Sequence, residues 1–484
     1  MAMLVAMCLW PATAQAVSEI SNPAREAEKS ERDRERLRRH RDPVYRQQVL
    51  ELPLSQALKI YQEVLSKLQS HYVDRDKAAP TRLFRQGLQE LGLALDDGRF
   101  LEEYISPERN DAVSGFRRRL LSDWGERVAR DAAVARKFAG EIALEAQKTL
   151  GLKPAVVVFE LLYGACGSLD EYTAYLHPGR LIDESASLLG ALADIGLQVE
   201  PRDRELVIAQ VAPGSPAAIA GLKIGDRITR VDQKQLNKLP AALVAALVAG
   251  EPGSAVELQI VPAGATSPVN FKLVRQSVFY RMLERKDGSA EEGIGYVQLI
   301  GFQKTTVHEL EEAILRLKRD GGMRALILDL RGNPGGSFRV AVQVAERFLA
   351  DGVIVSAQSQ IRTYNRTFES RSGPNAIDIP LIVLIDGDTA SAAELLAGAL
   401  KENHRALLIG TTTYGKGTIQ AVLPLHNLPA EAPAALRLTL ARFFSPRGHA
   451  YNDTGVTPDR VVLDKDGQLQ IALQEAAQLI RLLP

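Results

Sequence analysis

The sequence predicts a multidomain α/β (α+β) protein with a mostly helical first third, a small domain of short strands in the middle and an α/β core after it. Three observations carry this. Apolar residues recur at helical spacing over 50–72, 83–93 and from 116 to 162, the pattern of helices with one buried face. Short β-branched runs divided by glycine turns begin at about Leu188, and from Gly293 onward buried strands alternate with amphipathic helices. A chain of 484 residues has room for about three domains of roughly 150 residues. Its 59 basic side chains balance 59 acidic ones, so charge gives no basis for nucleic acid or anionic lipid as a bulk partner.

Residues 1–16, MAMLVAMCLWPATAQA, join an apolar run to Ala14-Gln15-Ala16. They read as a secretory signal peptide cut before Val17, which makes the mature protein periplasmic or secreted. The usual cationic leader is missing, since the first basic side chain is Arg25. No later run reaches the length a bilayer requires. With Cys8 removed, Cys166 is left alone, so no disulfide forms within the mature chain. Flanked by Ala165 and Gly167, it reads as a small buried hydrophobe rather than a nucleophile.

Residues 17–180 form the helical region. Its stretch 26–40 mixes charge signs densely, as a solvated helix or tether does. The region suits helix pairing, a homodimer contact or a substrate lid equally. It closes on Gly167 to Leu176, GSLDEYTAYL, and a His177-Pro178-Gly179 turn.

In the middle domain, 186–276, strands are expected at 195–199, 206–211, 227–232, 255–261 and 269–274, with a turn and short helix over 213–226 and a helix over 239–249. This order resembles a PDZ domain, and SPAAIAGLKIGD resembles its most recognisable segment. The resemblance implies a loop, here Ile195-Gly196-Leu197, whose backbone N–H groups receive the terminal carboxylate of a peptide that adds as a strand. Asp194 departs from the pattern by standing a carboxylate beside that place, and Gln233 stands where glycine commonly follows Val-Asp.

The core, 277–465, opens with a strand at 293–299, an amphipathic helix at 306–319 and a buried strand at 325–330 that ends in Asp329-Leu-Arg-Gly-Asn-Pro-Gly335-Gly336-Ser337. A glycine pair where a strand meets a helix, here 340–349, exposes backbone N–H groups able to face a developing oxyanion. The same tetrapeptide is also ordinary turn chemistry. A second buried strand, 381–385, leads to Ser391 at the mouth of a helix over 392–400. A strand at 406–409 then reaches Tyr414-Gly415-Lys416-Gly417, and a strand-like run, 418–423, follows. Hydroxyl and amine therefore lie one strand-helix-strand unit apart, which right-handed packing can bring to one edge of a parallel sheet. Serine needs a base, and lysine serves as one only where apolar surroundings favour its neutral form. Taken alone, Ser391-Ala-Ala-Glu394 also reads as a capping box, and Lys416 as a solvated loop lysine. A terminal helix is expected over 466–484.

Together ALILDLRGNPGGS, IDGDTASAAELLAGAL, TYGKGTIQ and GVTPD, after the PDZ-like segment, resemble the carboxy-terminal processing peptidases, or tail-specific proteases, over about 168–459. The resemblance implies a serine endopeptidase with Ser391 as nucleophile, Lys416 as general base and Gln420 orienting the lysine. It implies an oxyanion hole from the backbone N–H groups of Gly335, Gly336 and Ala392. It also implies protein substrates with apolar C-termini, no metal or other cofactor, and a PDZ domain inserted beside a core of the crotonase and Clp protease kind. The long helical first third departs from the family pattern.

Three other readings compete. Gly410 to Gly417 nearly matches a phosphate-binding loop, but Gly417 replaces the magnesium-binding hydroxyl and a β-rich run follows where a helix is needed. A histidine-based serine protease would place its nucleophile turn on 332–336, where Pro334 has no hydroxyl, leaving His308, His404, His426 and His449 without a task. A catalytically inactive PDZ peptide-binding scaffold is the third.

Overall fold

The computed structural model describes residues 35–181, 193–202, 205–236, 247–284, 290–428 and 433–482. The signal segment, most of the 26–40 stretch and most of the expected 239–249 helix lie outside them.

The helical region contains helices Pro43–Glu51, Leu54–His71, Pro80–Ala94, Gly98–Tyr104, Asn110–Arg119, Ala132–Leu150 and Pro154–Gly167. The expected 50–72 helix is two helices, because Leu52 is extended before Pro53, where an α conformation would clash. The 116–162 stretch is likewise divided, at Gly151, whose φ of 73° closes one helix, and at Pro154, which starts the next. Helix Pro154–Gly167 is buried from Ala155 to Cys166, which explains why its apolar residues run nearly without interruption. Burial pushes the Cys166 thiol up to about 12, as the expected inert hydrophobe requires.

Glu160, on that same helix, is fully buried and accepts from Arg39 Nη2 at 2.7 Å and from Tyr45 Oη at 3.3 Å. Burial alone would raise its pKa. The Arg39 and His40 charges outweigh burial and hold it below the usual carboxylate range. A depressed carboxylate contributes stability that is present above the unfolded pKa and lost as pH falls through the folded one. Replacing Arg39 with Met leaves the carboxylate buried and uncompensated, so unfolding titrations should show a loss of about 3–5 kcal/mol at neutral pH. That deficit should shrink toward acid pH.

The core holds two sheets. The first runs, in spatial order, Arg460–Val461, Leu407–Gly410, Leu381–Ile385, Ala325–Asp329, Ala290–Leu299 and Val278–Glu284, all parallel except the last pair. Helices Thr306–Gly321, Phe338–Phe348 and Ala392–Glu402 cover one face, meeting Leu381, Val383 and Ile385. Helix Lys465–Arg481 covers the other, meeting Ile382 and Leu384. With both faces covered, the central strands Leu381–Ile385 and Ala325–Asp329 are buried at every position and apolar at nearly all of them rather than at alternate ones. That is the run seen in the sequence.

The second sheet is antiparallel. Strand Ala435–Phe444 pairs with Ala174–Leu176, Gly352–Gln358 and Thr418–Pro424, and Arg366–Ser370 joins at the edge. Leu436, Leu438 and Leu440 bury against the helical region. The helices therefore lie on this sheet instead of standing apart. The expected run 418–423 is strand Thr418–Pro424, and it belongs to this second sheet.

The middle domain is a sheet of Leu197–Arg202, Glu205–Val211, Arg227–Val231, Ala255–Val261 and Val269–Val274, with Lys234–Gln235 beside the third, around a core including Ile195, Ile208, Ile228 and Leu258. Because Ala174–Leu176 already belongs to the core, this domain is an insertion. Its two ends are tied together, Asp194 N–H donating to Gln276 O at 3.1 Å and Gln276 N–H to Asp194 O at 2.9 Å. The architecture is thus α/β and multidomain, with the small sheet domain inserted as expected.

Candidate active site

Strands Ala325–Asp329 and Leu381–Ile385 are neighbours in the parallel sheet, so the loops leaving their carboxyl ends meet. Asp386 Oδ1 accepts from Gly332 N at 2.9 Å, Thr389 Oγ1 donates to Leu330 O at 2.9 Å, and Ala390 N donates to Asn333 O at 2.9 Å. The first loop is braced from below by Asp329, buried, which accepts from Tyr296 Oη at 2.6 Å and from Arg331 Nη2 at 2.6 Å. Burial pulls the Arg331 guanidinium down, and the Asp329 carboxylate more than reverses this, so the guanidinium stays charged. Asp329 and Arg331 appear in the quoted motif but were assigned no task from sequence. Their bond shows one, holding the glycine turn.

Ser391 opens helix Ala392–Glu402 at φ 57° and ψ −116°. An ordinary cap residue is extended. A positive φ in a residue with a Cβ is strained, and such strain gathers at functional sites because something else must hold it. Here the holder is Glu394, three residues on and fully buried. Its Oε2 accepts from Ser391 N at 2.7 Å and from Lys416 N at 2.8 Å, and its Oε1 accepts from Gly415 N at 2.7 Å and Thr413 Oγ1 at 2.6 Å. One carboxylate oxygen therefore joins the backbones of the serine and the lysine. The capping-box reading saw only the bond to Ser391.

Gly335 and Gly336 stand at φ 107° and 135°. A Cβ at Gly335 would lie 2.9 Å from the Ser391 Cβ, and one at Gly336 would lie 2.6 Å from Phe302 O. No other residue fits either place. The Gly335 N–H donates to Asn333 Oδ1 at 2.9 Å. In this structure a side chain of the same loop takes that donor. Ala392, the first residue of the helix that Ser391 opens, lies against this turn, its N 3.1 Å from where that Gly335 Cβ would be.

Lys416 is half-buried at the entrance to Thr418–Pro424, with its Nζ 4.4 Å from the Tyr172 ring centroid. Gln420, on that strand, donates from Nε2 to Thr418 Oγ1 at 2.8 Å and to Thr439 Oγ1 at 3.4 Å. The loop 411–417 runs into a strand, which is not the helix a phosphate loop needs. His426 meets Glu63 at 2.9 Å, His449 meets Glu402 at 3.0 Å, His404 meets Arg447 at 2.9 Å and His308 meets Glu312 at 3.6 Å. Each has a partner other than the serine. Ile195, Gly196 and Leu197 belong to the middle domain, where Ile195 is buried in the core and Gly196 N donates to Asp194 Oδ1 at 2.5 Å.

Compared with known proteins, residues 293–462 match the model of peptidase family S41 and residues 193–273 match a PDZ domain model. The chain is 33% identical over 298 residues to a carboxy-terminal-processing protease of Bartonella bacilliformis, covering 61% of this chain and 67% of that one. It is 34% identical over 300 residues to a carboxyl-terminal-processing protease of Synechocystis, covering 61% and 68%. Among solved structures it aligns with a photosystem II D1 C-terminal processing protease at 24% identity and a TM-score of 0.43, over 87% of this chain and 98% of that one.

Proposed function

This chain belongs to peptidase family S41, among its carboxy-terminal-processing members with a PDZ domain, and from that premise we propose that Ser391 and Lys416 form the dyad with which it cuts proteins bearing apolar C-terminal tails. The chain is a serine endopeptidase. In the proposed cycle Ser391 Oγ attacks the scissile carbonyl carbon while the Lys416 amine takes the hydroxyl proton. The ammonium gives that proton to the departing amine, leaving an acyl-enzyme. A water molecule, losing its proton to the same amine, then releases the new carboxylate and restores the serine. Gly336 and Ala392 supply the backbone donors for the oxyanion, and Gln420 orients the lysine from its threonine-held position.

One observation carries this reading. The Glu394 carboxylate binds the backbone N–H of both dyad residues and keeps the serine in a strained turn. Incubation with an unfolded protein ending in an apolar tail tests it. Cleavage should rise with pH as the lysine loses its proton, and should survive replacement of His308, His404, His426 and His449 together. An intact substrate that stays bound would mean a peptide-holding scaffold. A rate flat from acid to neutral pH would remove the lysine as base.

We propose further that the PDZ domain captures the tail as an added strand on Leu197–Arg202, the edge strand of its sheet. Asp194 then competes with the tail, since its carboxylate already takes the Gly196 N–H. Burial raises the Asp194 pKa above the usual aspartate value. Its charge thus appears at a higher pH than usual, and tail affinity should fall as pH rises through that range. Replacing Asp194 with Ala should tighten tail binding in a peptide titration and flatten that dependence.

The parallel sheet with glycine turns at its carboxyl edge also supports a core of the crotonase and Clp protease kind. The A-x-A signal supports export, which N-terminal sequencing of the mature protein from Val17 would test. A homodimer through the helical region is the remaining proposal, and light scattering reads it directly.

A further inference from the structure

The helical region ends in a loop that reaches the crevice. After helix Pro154–Gly167 the chain passes through residues 168–173 into strand Ala174–Leu176, which pairs with Ala435–Arg437 of the core. The loop is held from several sides. Tyr172 N and Thr173 N donate to Asp170 Oδ1 at 3.0 and 2.6 Å, Tyr72 Oη donates to Leu169 O at 3.1 Å, and Arg437 Nε donates to Tyr172 O at 2.6 Å. Thr439 N, on the strand that Gln420 also touches, donates to Thr173 Oγ1 at 3.3 Å. In this frame the half-buried Tyr172 ring faces Lys416 Nζ at 4.4 Å. Tyr172, Tyr72 and Tyr414 line one cavity of about 560 Å³, which joins the helical region to the loop carrying the lysine.

We propose that Tyr172 is a positioning residue for the base: its ring holds the flexible Lys416 side chain in the crevice and stabilises the ammonium formed when the amine takes the Ser391 proton. The inference rests on the Ser391–Lys416 reading and gives the helical region a task in the chemistry. A lysine stem has four rotatable carbons and settles poorly by itself, whereas an aromatic face within about 6 Å attracts the cation at one place. The phenol stays neutral, because burial and then the Glu171 hydrogen bond hold its pKa well above the ordinary tyrosine value. The ring therefore acts through its face. The charged groups around this cavity are Lys77, Asp170, Glu171, Arg442 and Asp453, and Glu394 holds the Lys416 backbone. All six remain in every variant below.

The test is the pH dependence of kcat/KM on an unfolded reporter protein, with the full chain carrying Phe, Leu or progressively fluorinated phenylalanine at position 172. Tyr172→Phe keeps the aromatic face and should keep the wild-type midpoint of the rising limb. Tyr172→Leu should lower that midpoint by about half to one and a half pH units, because the ammonium loses its partner. Its kcat should fall by about 2- to 30-fold with KM little changed. Fluorination empties the ring face at nearly constant volume, so the midpoint should move down in steps. This series stands even if the Leu variant fails to fold. A midpoint that stays put across the series, whatever happens to the rate, would overturn the proposal and leave Tyr172 as packing. Cleavage that persists in Lys416→Ala would instead remove the dyad, a separate result read on a separate variant.

Discussion

Ser391→Ala and Lys416→Ala should each cut cleavage of the unfolded substrate by orders of magnitude while the melting temperature stays within a few degrees of wild type. The serine variant loses the bond-forming atom, and its rate should drop on the order of 10⁴-fold or more, to what binding and oxyanion contacts alone sustain. The lysine variant keeps the hydroxyl but has no acceptor for its proton, which removes about 10²- to 10⁴-fold. The double variant should be little worse than the serine variant, because the two side chains act as one unit. Additive losses would mean separate tasks. Glu394 binds both residues through the backbone, and neither substitution removes those bonds. Stability should therefore be almost unmoved.

Glu394→Gln reverses that pattern, with loss of both activity and stability. All four groups around the carboxylate are donors: three backbone N–H groups and the Thr413 hydroxyl, which itself accepts from Val456 N at 2.6 Å. A carboxylate matches four donors, but an amide offers one oxygen and turns its NH₂ toward the rest. At a fully buried site each unmatched pair costs about 1–3 kcal/mol, so denaturant melts should show about 2–5 kcal/mol lost in total. The turn that strains Ser391 then relaxes and the 413–416 loop drifts from the serine. An ångström of misplacement is worth about 10²-fold in rate. Full activity in Glu394→Gln would show that the dyad is aligned by something else.

The difference between these two predictions follows what was legible in the chain. Ser391 and Lys416 were readable because each stands at the end of a short apolar run, and a strand buried on both faces announces itself locally. Glu394 was readable only as half of a cap, since its bonds to Thr413, Gly415 and Lys416 close a loop some twenty residues long that no local pattern records. Which donors a glycine turn leaves open depends on a neighbouring side chain, here Asn333, which takes the Gly335 N–H. Strands Gly352–Gln358, Arg366–Ser370 and Ala435–Phe444 went unassigned. Ala435–Phe444 is covered by helices from the far end of the chain and the other two pack on helices Phe338–Phe348 and Ala392–Glu402, so their patterns have no meaning until those helices are in place.

By itself, then, the order of residues determined the kind of elements, their sequence along the chain, the family and the two side chains proposed as the dyad, because each depends on local periodicity or on a short motif. Only the tertiary structure decided that Thr418–Pro424 pairs in the second sheet, that one buried carboxylate binds the backbones of Ser391 and Lys416, and that an aromatic ring from the helical region faces the lysine. The physical reason is distance along the chain. A hydrogen bond or a ring contact reaches only a few ångströms in space, and residues 172, 394 and 416 become neighbours only after the packed sheets have brought them together.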